Sequence, residues 1–182
     1  MSKPRDTRGI PDVLKEYPVP VSRTLDGILG FQLTEIGEQE ARGHVAVTDR
    51  IRQRFGLVHG GVYAALAEMV ATEATVHHVG GTGNIAMGLS NSTNFLRPIT
   101  NGTVHAHALA VQRGSSTWIW DVDLADDDGR LCAISRVTVA VRPDSARPRR
   151  DELDPSAHTA QPPGAPSAER ALRGAQAGPA AS

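Results

Sequence analysis

The sequence predicts an α+β domain in which a strongly curved antiparallel sheet wraps a single helix. Two observations lead there. Residues 53–75 read QRFGLVHGGVYAALAEMVATEAT, and after the paired glycines this stretch becomes a run dominated by Ala, Leu, Val and Met. The segments before and after it alternate apolar and polar residues, with no second long helical pattern.

In order, residues 1–10 are polar and read as a flexible N-terminus. Residues 11–17 suit one or two helical turns, stopped by Pro18 and Pro20. Residues 27–36 (GILGFQLTEI) and 40–48 (EARGHVAVT) alternate, with Gly37 between them, and read as a hairpin. Residues 49–54 form a polar link to the helix. In the helix, Val62, Leu66, Met69 and Val70 recur at helical spacing, which predicts one buried amphipathic helix fading near Val79-Gly80-Gly81. Residues 84–98 predict a long strand that admits a bulge, and residues 102–113 and 116–124 two further strands. The turn DDDG at residues 126–129 leads into a last strand at 130–141. The folded domain is thus expected over residues 11–143. From there to residue 182, Pro, Ala, Gly, Ser and Arg dominate, too little apolar surface to offset ordering entropy, so residues 144–182 are expected to be a disordered tail.

Composition narrows the function. The formal net charge is −1, which gives no global field toward nucleic acid or membrane. Aromatics are only 4%, too few for base-stacking platforms. One cysteine, Cys132, excludes an intramolecular disulfide framework and suits a reducing compartment. No apolar run is long enough to span a bilayer, and MSKPRDTRGIPDV lacks the apolar core of a signal peptide. A soluble cytoplasmic protein is the expectation.

The chemistry centres on Glu68. It lies on the helix among Ala64, Ala65, Ala67 and Ala71, with Thr72 four residues on and therefore on the same face. Glu73, five residues along, points elsewhere and reads as the solvent side. Glu68 is therefore the carboxylate expected to face something other than bulk water.

The order of elements and the motif GLVHGGVYAALAE resemble the hotdog-fold thioesterases. The similarity is to the 4-hydroxybenzoyl-CoA thioesterases that use a helix glutamate. The segments RQRFGLVHGGVYAALAEMVATEAT, SNSTNFLRP, GSSTWIWDV and GRLCA carry it, together with TLDG near the start, over residues 11–143. The specific signature is HGG with Glu68 eight residues after Gly60, Thr72 four further, and Gln53 seven before Gly60. The resemblance implies a hydrolysed aromatic acyl-CoA, foremost 4-hydroxybenzoyl-CoA, with another aryl- or arylacetyl-CoA as the alternative substrate. It makes Glu68 the nucleophile or general base and gives the Gly60 N–H the thioester carbonyl. Gln53 would position the thioester, and Thr72 would orient Glu68 or the water. Arg97, Ser115 and Ser116 would hold the nucleotide of CoA, with Arg147 or Arg149 as a further basic residue. It implies no metal and no resident cofactor, and an oligomer reaching a homotetramer.

These roles agree with elementary chemistry. Charge building on a thioester oxygen is stabilised by free N–H groups at a helix start. Glycine admits close approach to the backbone. Attack by a carboxylate gives a mixed anhydride that water opens. Eight residues of helix span about 12 Å, yet both groups must reach one carbonyl within roughly 3–3.5 Å. The site is therefore expected to combine Gly60 and Gln53 of one subunit with Glu68 and Thr72 of another.

Other candidates have plainer readings. His59 either touches substrate or organises the turn. His77 and His78 suit a helix C-terminus. His105 and His107 share a strand face, but no carboxylate or cysteine partner stands out for a metal. Trp118, Trp120 and Cys132 are expected in the core. No G-x-S-x-G elbow exists, which argues against a serine hydrolase. A non-catalytic acyl-CoA-binding module and a dehydratase remain as alternatives from other classes. The helix lacks the Asp–His pair that a dehydratase wants.

Overall fold

The computed structural model describes residues 19–146. The predicted N-terminal turns, Arg147, Arg149 and most of the tail lie outside the described residues. The elements are α1 (Leu25–Leu29), β1 (Gln32–Ile36), β2 (Glu40–Ala46), α2 (Gly60–Val79), β3 (Asn84–Phe95), β4 (Thr103–Arg113), β5 (Thr117–Ala125) and β6 (Leu131–Pro143). Six strands form one sheet in the order β1-β2-β4-β5-β6-β3, every pairing antiparallel. The sheet carries α2 on one face, so β1 and β3 are its two edges.

The hairpin β1–β2, the central helix and the four later strands match the sequence reading. The start of the first strand does not. Residues 27–29 belong to α1, because Thr24 accepts a hydrogen bond from the Gly27 N–H at 3.3 Å and Gly30 ends the turn in the left-handed region. An N-cap and a terminating glycine override the alternation of GILGF.

The helix also departs from the amphipathic expectation. Val62, Tyr63, Leu66, Ala67, Met69, Val70, Ala71, Ala74, Thr75 and Val79 are all buried, and they fall on every side of α2. Such a helix is a core element rather than a surface one. It packs on Val45, Val104, Trp120, Val122, Leu124, Val137 and Val139 of the sheet. Trp118 and Trp120 are core residues as expected, and Cys132 is buried. The Trp120 indole N–H donates to Thr75 Oγ1 at 3.0 Å, and Thr75 Oγ1 donates to Ala71 O at 2.8 Å. Among the described residues no helix is long and apolar enough to cross a membrane.

Two histidine expectations change. His105 pairs with Asp127 at 2.8 Å and His107 with Glu40 at 2.7 Å, so both have carboxylate partners that sequence spacing hid. Among the described residues no group of three or more His, Cys, Asp or Glu is placed to hold a metal ion. His78, at the end of α2, bonds Gly37 O at 3.0 Å and faces the Trp118 ring. Desolvation lowers its pKa.

Candidate active site

The helix start is built by His59. Its backbone is extended (φ −68°, ψ 134°), its Nδ1 accepts from the Gly61 N–H at 2.9 Å, and its carbonyl accepts from the Val62 N–H at 2.9 Å. His59 N–H in turn donates to Ile51 O at 2.8 Å. His59 therefore organises the turn. The Gly60 N–H takes no hydrogen bond among the described residues and stays available at the positive end of a 20-residue helix. Gln53 is exposed on the approach loop, where its N–H bonds Leu57 O at 2.7 Å and its carbonyl accepts from Gly56 at 2.9 Å. That short loop hangs Gln53 beside the helix entrance.

Glu68 sits two turns on, half-buried, and accepts from Thr72 Oγ1 at 3.3 Å. The same-face pairing read from the sequence is thus present. Glu73 is not the solvent side. It too is half-buried, and burial pushes its carboxyl upward, with the negative charges of Asp26 and Glu68 adding to the shift. Asp26, in the first turn of α1, is raised by burial as well. Glu73 of α2 and Asp26 of α1 thus lie close enough for their negative charges to act on each other.

Strand β3 lines the carboxylate. Asn91 Nδ2 donates to Ala64 O at 2.9 Å, and Gly88 lies directly against Glu68. Phe95 places its ring on Gly60 and near Tyr63, whose ring centroid is 6.0 Å away. The sequence alone assigns no part in the site to Gly88, Asn91 or Phe95, although SNSTNFLRP contains the last two, because nothing there says which strand will lie along the helix.

The candidate nucleotide-binding residues fall apart within one chain. Arg97 N–H bonds Cys132 O at 3.0 Å, near the start of β6. Ser116 O accepts from Val141 N–H at 2.9 Å, near its end. Nine residue steps along β6, from Cys132 to Val141, separate these points by about 30 Å. Arg142, which the sequence reading missed, donates to Ser116 O at 2.8 Å and is the basic side chain nearest Ser115 and Ser116 on the last strand. A groove of about 520 Å³ lined by Ser92, Asn94, Asp121, Asp123, Arg136 and Thr138 opens on the outer face of the sheet. It contains none of the predicted residues.

A six-stranded antiparallel sheet carrying one long core helix is the hotdog architecture of thioester hydrolases. The comparisons place it more closely. The thioesterase superfamily profile matches residues 55–133. A 1,4-dihydroxy-2-naphthoyl-CoA hydrolase of Listeria monocytogenes is 32% identical over 118 residues, 65% of this chain and 95% of that protein. The crystal structure of a Haemophilus influenzae thioesterase superposes with a TM-score of 0.64 at 32% identity, covering 67% of this chain and 85% of that one. A mutant thioesterase from Pseudomonas aeruginosa gives a TM-score of 0.66 at 30% identity, over 75% and 97% respectively. The chain belongs to the thioesterase superfamily.

Proposed function

We propose that this chain hydrolyses the CoA thioester of a hydroxylated aromatic acid, releasing the free acid and coenzyme A. The observation that carries this is Glu68: a carboxylate on a core helix, held by Thr72, on the same helix as an unused N–H at Gly60. Glu68 attacks the carbonyl carbon directly, or activates the water that does. The Gly60 N–H takes the developing oxyanion, where a preorganised donor is worth most. Direct attack expels the CoA thiolate and leaves a mixed anhydride that water opens. The chemistry needs only water beside the substrate. The sequence resemblance favours 4-hydroxybenzoyl-CoA. The Listeria relative's name favours a dihydroxynaphthoyl ester, and both belong to the hydroxyaryl class.

The active unit in this reading is a homodimer with two shared sites. Gly60 and Glu68 are eight residues apart on one helix, too far to meet on one carbonyl. Strand β3 is a sheet edge, and Met87, Leu89 and Phe95 are exposed on it, so pairing with a second β3 covers apolar surface. The separation of Arg97 from Ser115 and Ser116 is likewise bridged when different subunits supply them. Two such dimers complete a tetramer, which light scattering on the eluted protein checks.

The decisive assay is free-thiol release from 4-hydroxybenzoyl-, 1,4-dihydroxy-2-naphthoyl-, benzoyl-, phenylacetyl- and short aliphatic CoA esters. The hydroxyaryl esters should turn over fastest, and Glu68→Ala should lose on the order of 10³-fold or more in kcat. Tight binding of every ester without thiol release would instead make the chain a binding module. Sharing is tested by mixing inactive Glu68→Ala with inactive Gly60→Pro. Random exchange makes half the dimers mixed, each with one intact site, so roughly a quarter of wild-type activity should return. Demonstrated exchange with no return would place the site within one subunit.

A further inference from the structure

Strand β3 runs antiparallel along α2 and meets it at three stations. The Phe95 ring abuts Gly60, Asn91 Nδ2 bonds Ala64 O, and Gly88 abuts Glu68. At the last station the fit is closest. A Cβ built on Gly88 would fall inside the contact distance of Glu68 Oε1, with Glu68 Cδ at 3.3 Å and Cγ at 3.5 Å. The carboxylate occupies the space that any other residue's side chain would take.

The strand is interrupted at this same point. Gly88 pairs with Val139 and Ser90 with Thr138, so Leu89 is an extra residue, a bulge, and its side chain is exposed. A bulge bends a strand and re-aims the residues beside it. A glycine inside a strand weakens it and marks close approach of another group. Beyond the bulge the strand is tied down again. Asn91 Oδ1 accepts from Thr93 Oγ1 at 2.7 Å and from Ser135 Oγ at 2.9 Å, while its amide holds the helix carbonyl one turn before Glu68.

We propose that Gly88 and the bulge that follows it are the positioning device for Glu68. The bare backbone of Gly88 forms one wall of the carboxylate's seat, Thr72 Oγ1 the other, and the Asn91 tie sets the distance of the strand from the helix. The device places the carboxylate from a strand rather than a loop, which holds a reacting group within the tolerance that catalysis demands. It rests on the reading of Glu68 as the reacting carboxylate.

Gly88→Ala pushes the carboxylate off its seat. A displacement of about 1 Å costs on the order of 10²-fold in rate. The expected result is a 10- to 100-fold fall in kcat, roughly, with KM for the best hydroxyaryl-CoA ester within about threefold. The specific readout is a double-mutant cycle with Glu68→Asp, whose carboxylate is one methylene shorter and withdraws from the space at Gly88. In that background Gly88→Ala should cost less than about twofold. An equal loss in both backgrounds would mean that Gly88 serves only the strand, and would overturn the proposal while leaving Glu68 in place. Full activity of Glu68→Gln would overturn the functional reading itself, and this inference with it. Should Gly88→Ala fail to fold, recovery of the fold in Gly88→Ala/Glu68→Ala supports the contact, and failure in both refutes it.

Discussion

Gly60→Pro isolates the helix-start donor. Gly60 is the first residue of α2 and has helical backbone, and the first helical position is where proline is best accommodated. His59 before it is extended, with ψ of 134°, the conformation a residue preceding proline adopts. The atoms nearest a new Cβ belong to the Phe95 ring, whose Cζ would lie 2.8 Å away, so that ring must shift. The Gly60 N–H makes no hydrogen bond among the described residues, so its removal breaks none of the hydrogen bonds found there. Proline at a compatible site gains about 0.4–1 kcal/mol through the unfolded chain, which offsets the movement of Phe95. The unfolding midpoint should therefore stay near wild type. Activity should not. Losing one preorganised oxyanion donor costs about 10²–10³-fold in kcat. Steady-state kinetics on the best hydroxyaryl-CoA ester, beside thermal unfolding, reads both. A variant with wild-type kcat would refute the assignment of the oxyanion to the Gly60 N–H, whatever became of Glu68.

Two further outcomes are expected of the helix interior. Thr75→Val keeps the shape but removes the acceptor of the fully buried Trp120 N–H, which should cost about 1–3 kcal/mol in urea unfolding with an unchanged m-value. Equal urea midpoints for variant and wild type would mean that the indole N–H finds another partner. Glu73→Gln should stabilise the protein at neutral pH. The folded state raises this carboxyl from 4.5, so its contribution to folding is present below that value and is lost as pH rises through the raised one. The amide carries no charge to be desolvated beside Asp26 and Glu68. The gain in melting temperature should shrink as pH falls toward 4.5. A gain independent of pH would point to packing rather than charge.

Much of this architecture was legible because burial imposes periodicity. The strands alternate and the helix does not, and the spacing of Glu68 and Thr72 puts them on one face, where they share a hydrogen bond. What escaped was whatever depends on distant segments arriving at the same place. Glu73 looked solvent-facing only in relation to Glu68 on an isolated helix; the side chain is covered in the fold, with Asp26 of α1 close enough to raise its carboxyl. His105 and His107 showed no partners because Asp127 and Glu40 reach them across strand register, 22 and 67 residues away. The helix α1 was misread as strand because a threonine cap and a left-handed glycine outweighed three alternating residues.

The site itself divides along the same line. The groups proposed to react, Glu68, Thr72 and the Gly60 N–H, all belong to α2, so their spacing can be read directly from the sequence. Its shape comes from β3, which contributes mainly by what it leaves out. A glycine in a strand could equally mark a bend, a bulge or an approach, and only the position of the helix decides that Gly88 marks the approach of Glu68, one residue before the bulge at Leu89. Because β3 is also an edge of the sheet, the element that seats the carboxylate is the one through which a second subunit would bring its Gly60. Assembly and positioning then depend on one strand. Changes along residues 87–95 should therefore be judged by kcat and by oligomeric state together, since either alone assigns the same lesion to the wrong cause.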